Sequence, residues 1–272
     1  MPAPRIVSTV PAATAMLVQM GAGGDLVGVS RFDRPFLPPT LQNLPVVGDY
    51  FRVNVETLLM LRPTALVVQT STKRLKPGLV RLARRRHIAL VDVRLNTLAD
   101  VYSTARRLGQ ISGHVAAAER KIEALRAALH AIAKKYAHWP QPAAVYFVSR
   151  QPLIAVGKNT FIAQEMQLAG IRNAAAVLGA GYPTTDLETL ERLKPQAIFL
   201  ADPGGPRQRP RDPRLRFFRR MSSPAARHHK LFVLTNAETE MPTLDLANNV
   251  ATLAQCVHVA RAMHRSTVAG RP

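Results

Sequence analysis

The side chains best equipped for metal or nucleophilic chemistry are eight histidines and one cysteine. A zinc-type centre needs ligands spaced roughly two to five residues apart, or an acidic cluster beside them. His87, His114, His130, His138, His258 and His264 have neither, and the adjacent His228 and His229 cannot readily share one face of a helix or strand. Cys256 is alone, so no disulfide can close within the chain, and its apolar helical surroundings read as an inert buried thiol. Gly21-Ala22-Gly23-Gly24 follows a helical pattern where a dinucleotide loop would follow a strand, and neither a Walker loop nor a nucleophile elbow occurs. The sequence therefore offers no catalytic set, no metal ligands and no cofactor loop, and reads as non-enzymatic.

What remains is a symmetric set of tyrosines and glutamates. Glu56-Thr57-Leu58-Leu59-Met60-Leu61-Arg62-Pro63-Thr64-Ala65-Leu66-Val67 returns as Glu188-Thr189-Leu190-Glu191-Arg192-Leu193-Lys194-Pro195-Gln196-Ala197-Ile198-Phe199 at a constant offset of 132, with six of twelve positions identical. The offset extends upstream, pairing Asn54 with Asp186 and Tyr50 with Tyr182. Tyrosines suit a planar ligand because they offer apolar area with a polar tip. Glu56 and Glu188 fall in the first turn of their helices, where the helix dipole favours a carboxylate. As a spaced pair they could also meet basic residues on a partner.

The elements that must position these residues alternate strand and helix. Ile6 to Val10 and Leu26 to Val29 are β-rich runs, and Pro11 opens a helix that stops at Gly21. Asn54 can cap a helix through Leu61, Pro63 ends it, and Ala65 to Val68 follows as a strand. A basic helix near Leu79 to Arg86 leads into Ile88 to Val93, and Thr97 with Asp100 spells a capping box. From Gly113 to His138 helix formers run uninterrupted, with apolar Ile122, Leu125, Leu129 and Ile132 in helical spacing.

A second series begins at Ala143 to Val148, with Ile154 to Val156, a helix over Thr160 to Ala169, a strand over Ala197 to Leu200 and another over Leu231 to Leu234. Pro203 to Pro213 reads as a mobile surface loop, and the last helix is expected from about Thr243 to Met263. The order predicts an α/β protein of two Rossmann-like lobes with parallel-type sheets: residues 1–112, a connecting helix over 113–139, and residues 140–272. In such sheets ligands sit beyond the carboxyl ends of strands. Tyr50 and Tyr182 fall in such loops of the two halves, where they either face one another across a cleft or pack their own loops.

The net charge is +20, from 37 Lys and Arg against 17 Asp and Glu. That favours anionic partners. The arginines collect at Arg81 to Arg86 and Arg207 to Arg220 without the interleaved aromatics of a stacking surface or a recognition-helix pattern, which argues against nucleic acid. No run of 18 apolar residues free of charge occurs.

The chain is similar along most of its length to the periplasmic substrate-binding proteins with a helical backbone that serve ABC importers of cobalamin, ferric siderophores and haem. Arg5-Ile6-Val7-Ser8 through Val27-Gly28-Val29-Ser30 matches the family's opening, and Val47-Gly48-Asp49-Tyr50 with Asn54-Val55-Glu56 and Leu61-Arg62-Pro63 resembles its first-lobe signature. Gly157-Lys158-Asn159-Thr160-Phe161-Ile162, Leu168-Ala169-Gly170-Ile171-Arg172-Asn173 and Tyr182-Pro183 resemble the second.

The resemblance implies a monomeric receptor that holds its ligand between two lobes fixed by one rigid helix and delivers it to a permease dimer with ATPase subunits. Matching positions for ligand contact are Pro11, Ala12, Tyr50, Phe161 and Tyr182, with Arg31, Phe32 and Gln69 added because they follow strand ends. Glu56 and Glu188 are the positions for docking to permease arginines. A corrinoid is the first expectation for the ligand, then a ferric siderophore or haem, whose anionic chelates arginine would pair with. The ligand itself would carry any cobalt or iron. The family implies the periplasm, whereas the residues before Ile6 show no secretory pattern. Competing readings are a cytoplasmic sensor or interaction protein of the same fold, or an enzyme acting on an anionic small molecule.

Overall fold

A computed structural model describes residues 3–49, 52–69 and 77–259 of the chain. It falls into two compact units, Met1–Leu125 with Met241–Leu244, and Arg126–Glu240 with Asp245–Pro272.

In the first unit, β1 (Ile6–Ser8), β2 (Leu26–Ser30), β3 (Val46–Gly48), β4 (Ala65–Val68) and β5 (Ala89–Asp92) form one parallel sheet in the order β3-β2-β1-β4-β5. The inner strands β1 and β4 have every residue buried, and β4 is a continuous apolar run, as strands covered on both faces tend to be. Helices α1 (Pro11–Gln19), α2 (Val55–Met60) and α3 (Pro77–Arg85) lie between them in the chain, and α4 (Leu98–Ser112) follows β5. The Thr97–Asp100 capping box is present, and Gly113 closes α4 at φ 74°, a backbone that costs glycine little. Val7, Val47, Leu58, Leu66 and Ile88 build one core cluster.

The helix α5 (Val115–Tyr136) has 22 residues, which corresponds to about 33 Å. Its buried positions Ala118, Ile122, Leu125, Leu129 and Tyr136 trace one stripe, as the apolar spacing predicts, and much of the rest is exposed. The division between the two units falls within it, after Leu125.

The second unit is built on β6 (Ala143–Arg150), β7 (Leu153–Ala155), β8 (Arg172–Asn173), β9 (Ala197–Ala201) and β10 (Leu231–Leu234). The order is β10-β9-β6-β7, with β8 also pairing β6; β7 alone runs antiparallel to β6. Its helices are α6 (Phe161–Leu168), α7 (Leu187–Leu193), α8 (Arg216–Arg219), α9 (Pro224–Arg227) and α10 (Ala247–Ala254). The core gathers Phe147, Leu190, Ile198, Phe218 and Val233. Tyr136 stacks on His258 at 4.7 Å and Trp139 meets that ring edge-on at 5.4 Å.

Two expectations need correction. The last helix starts at Ala247 rather than Thr243, because residues 243–248 first form tight turns, Thr243 N–H to Met241 O and Asn248 N–H to Asp245 O. It also loosens after Ala254 into a π-helical turn, Gln255–Val259, and the expected reach to Met263 lies outside the described residues. The Pro203 to Pro213 segment, read as mobile, is tied down. The Arg214 guanidinium reaches Asp202 at 2.5 Å, Asp212 at 2.6 Å and the Pro206 carbonyl at 2.8 Å.

Candidate functional site

The duplicated motif is duplicated in three dimensions. Asn54 accepts the Thr57 N–H at 3.0 Å to cap α2, and Asp186 accepts the Thr189 N–H at 2.7 Å to cap α7. Hydrogen bonds from Thr189 hold the Asp186 carboxyl below the usual carboxylate range. After each helix the chain turns through a left-handed residue, Arg62 or Lys194, into a buried proline. Thr64 Oγ1 then accepts the Arg5 N–H entering β1, and Gln196 Oε1 accepts the Ala143 N–H entering β6. This frame presents Glu56 and Glu188 in first helical turns, both exposed; Glu188 has a loose 3.6 Å contact to Arg192, one turn on.

In the first unit the expected contact residues gather around the carboxyl ends of parallel strands. Chain order reverses at β1, whose neighbours are β2 and β4, and such a reversal opens a crevice beyond the strand ends. Pro11 and Ala12 start α1 there and are buried; Gln69 follows β4 and is half-buried. Arg31 follows β2 and reaches Asp49, beyond β3, at 2.8 Å while its side chain remains 62% exposed. Its guanidinium also lies 4.7 Å over the exposed Phe32 ring, leaving a cation and an aromatic face open together. Tyr50 lies outside the described residues.

Asp33 was not foreseen. It is buried and accepts the Ser30 N–H at 2.6 Å, and burial pushes its carboxyl up to about 6 against a smaller opposing pull from Thr14.

In the second unit Phe161 opens α6 and is buried beneath the surface, capped by Thr160 Oγ1 accepting the Ala163 N–H. Tyr182 sits on a segment that continues the β7 edge: Gly157 N–H donates to Gly181 O, Lys158 N–H to Gly179 O, and Ala155 N–H to Pro183 O, each at 2.8–2.9 Å. Gly157 is required there, since a Cβ would collide with the Gly179 carbonyl. The Tyr182 residue keeps 45% of its surface exposed, yet its phenol end is enclosed enough to lift its pKa to about 12, through burial first and then the nearby Glu240 and Glu165 carboxyls.

Those two acids were not foreseen either. Glu165 is fully buried and neither carboxylate oxygen meets a hydrogen-bond partner; burial raises its pKa well above the usual range, and the neighbouring Asn249 amide offsets this only in part. Glu240 is half-buried, with Oε1 enclosed and unpartnered, and burial lifts it to about 7. Between them in the field lies Tyr146, buried, its hydroxyl 3.5 Å from the Thr239 carbonyl and its pKa raised by burial and by both acids.

Glu165 carried one signal in the sequence: it falls with Phe161, Ile162 and Met166 on the buried stripe of α6. Glu240 carried none, because it lies in irregular chain after β10. A pocket beside β10, lined by Thr235, Asn236, Thr239, Asn249, Thr252 and Cys256, adjoins this cluster through Thr239 and Asn249. Burial raises the Cys256 thiol to about 11, so it is a poor nucleophile at neutral pH. Among the described residues no group of three or more His, Cys, Asp or Glu side chains is placed to hold a metal ion.

The two units are built on one repeated frame of capped helix, buried proline and strand, each on a mostly parallel sheet. The chain belongs to the periplasmic binding protein family, whose model matches residues 6–238. It is thus a binding protein and not an enzyme.

Among curated relatives, the vitamin B12-binding protein of Pectobacterium atrosepticum is 29% identical over 201 residues, covering 72% of this chain and 71% of that one. The vitamin B12-binding protein of Vibrio cholerae is 24% identical over 201 residues, covering 74% and 71%. Among solved structures, the periplasmic vitamin B12-binding protein BtuF of Vibrio cholerae superposes with a TM-score of 0.75 at 21% identity, over 96% of this chain and 98% of that one. The periplasmic haem-binding protein RhuT from Roseiflexus sp. RS-1 gives 0.76 at 19% identity, over 95% and 99%.

Proposed function

We propose that this protein is the receptor of an ABC importer, working in the periplasm, that binds a corrinoid and presents it to a permease dimer with ATPase subunits. The observation that carries the reading is the sequence relationship to vitamin B12-binding proteins across about two hundred residues. Exposed rings supply fitting chemistry: Phe32 under the Arg31 guanidinium in one unit, and the Tyr182 ring near Glu240 in the other. A corrinoid offers a broad apolar face and a rim of amides, which aromatic rings and carboxyl groups can meet by packing and hydrogen bonding.

Haem is the second reading, favoured by structural neighbours that bind it and by the exposed Arg31, which could pair a propionate. Glu56 and Glu188 are the docking groups in this scheme, exposed carboxylates on matched helices that meet cations of the permease. Calorimetric titration with cyanocobalamin, haem and a panel of ferric siderophores tests the reading. Cobalamin is expected to bind at about micromolar Kd or tighter. Tighter binding of haem replaces the corrinoid, and no binding below about millimolar by any of them removes the receptor reading.

A further inference from the structure

The net charge of +20 is more than recognition of one small molecule requires, and one of its arginine-rich stretches, residues 207–220, lies in the second unit. Residues 202–220 contain two carboxylates, Asp202 and Asp212, and both are engaged by the single side chain of Arg214. Arg207, Arg209, Arg211, Arg216 and Arg220 are exposed around them, and none has an ion pair among the described residues. Local neutralisation is thus used up on the one arginine that shapes the loop, and the others point their charge at solvent.

Within this cationic face stands an exposed aromatic ring. Phe218 is fully buried and stacks on Phe147 at 5.3 Å, which anchors α8. The adjacent Phe217 is turned outward, 41% exposed, with the Arg216 guanidinium 5.6 Å from its ring centre. An exposed aromatic residue beside Arg216, in a segment of arginines without ion pairs among the described residues, matches the surface of an anionic bilayer: the ring enters the headgroup boundary and the guanidinium groups pair bidentately with lipid phosphates. A nucleic-acid strand would need several stacking rings, and Phe217 stands alone in this face.

We propose that the face formed by Arg207 to Arg220 docks the protein onto a membrane surface rich in anionic phospholipid, with Phe217 as its apolar contact. Ser222, just beyond it, donates its N–H to Glu191 of α7 at 3.2 Å, so the face adjoins the helix that carries Glu188. The inference does not rest on the receptor reading, since it needs neither ligand nor permease.

Cosedimentation of the purified full chain with vesicles tests it, comparing phosphatidylcholine alone with phosphatidylcholine containing phosphatidylglycerol. Binding is expected only with phosphatidylglycerol and is expected to weaken with salt. The triple variant Arg209→Ala, Arg216→Ala, Arg220→Ala should lose at least about tenfold in partitioning, and Phe217→Ala a smaller factor. The charge-matched control Arg81→Ala, Arg84→Ala, Arg85→Ala, on the exposed face of α3, should keep most of it. Equal losses in the two triple variants would show diffuse charge rather than this face and overturn the proposal. So would equal binding to both vesicle types, no binding to either, or tighter binding to single-stranded or duplex nucleic acid than to the anionic vesicles.

Discussion

Arg62 and Lys194, 132 positions apart, hold the same left-handed backbone, at φ 45° and φ 44°. Each lies between a short capped helix and a buried proline, where a preceding residue would ordinarily be extended. An L-residue in this region costs about 1–2 kcal/mol, and it is held because the proline and the strand beyond it are locked into the sheet. Arg62→Gly or Lys194→Gly should shift stability by no more than about 1 kcal/mol, since relief of strain offsets the greater freedom of the unfolded chain. Arg62→Val or Lys194→Val should destabilise by about 1–2 kcal/mol more, because a β-branched side chain fits this region worst. Denaturant midpoints at fixed slope measure both.

The caps of the two matched helices should respond differently to pH. Asn54→Ala removes the acceptor for the Thr57 N–H and should cost about 1 kcal/mol at any pH between 4 and 9. The Asp186 carboxyl is held below its ordinary value, so its stabilisation is present above that value, 3.8, and is lost as pH falls through the lower folded one. Asp186→Asn should therefore flatten the acid limb of the stability curve, read by thermal melts at stepped pH.

Glu165 should destabilise the fold at neutral pH. Its folded pKa lies well above the ordinary 4.5, so the folded state keeps a proton that the unfolded state releases, and stability falls as pH rises from about 4.5 toward the folded value. Glu165→Leu should raise stability at pH 8 by about 1–3 kcal/mol and remove that slope. Glu240, with a folded value about 7, adds a smaller decline between 4.5 and 7 that survives in the Glu165 variant. A Glu165→Leu protein no more stable than the parent at pH 8 would mean that the carboxyl has water or a partner in solution.

Arg214→Ala should release the loop over Pro203 to Pro213. It leaves the Asp212 side chain, 2% exposed, without its cation and should cost about 2 kcal/mol, with faster proteolytic cleavage inside the loop. Arg214→Lys restores charge without the fork that serves Asp202, Asp212 and Pro206 together, and should recover only part of the loss.

Binding and docking should separate by mutation. Tyr182→Ala should weaken ligand affinity at least about tenfold, because it removes an exposed ring beside two carboxyls while the Gly157 to Gly181 backbone pairing stays. Glu56→Ala with Glu188→Ala should leave affinity within about twofold and reduce transport in membranes containing the permease. Loss of affinity in the double variant would move those acids from docking to ligand contact.

Much of the frame was legible because its determinants are local. Pro11 beginning a helix, Asn54 and Asp186 capping, the Thr97–Asp100 box and Gly113 closing a helix are decided within a few residues. The buried stripe of α5 follows from 3.6-residue periodicity, and the apolar runs of β4 and β9 from strands covered on both faces. The start of α10 was misplaced because residues 243–248 first form tight turns that the apolar pattern does not mark.

The site was less legible. Tyr182 and Glu188 could be named from the repeat; Glu165 was marked only by its place on the apolar stripe of α6, and Asp33 and Glu240 by nothing beside them in the chain.

By itself the sequence determined the two-part α/β plan and the matched helix, proline and strand of each half, because propensity, capping and hydrophobic period act over one or two turns of chain. Only the tertiary structure decided which polar groups lose their water. Glu165 is desolvated by packing that brings Asn249 from α10 to its side, and Tyr146 meets Thr239 from the far end of the unit. Desolvation depends on atoms close in space and distant in sequence, so the charge state of this site is a property of the fold.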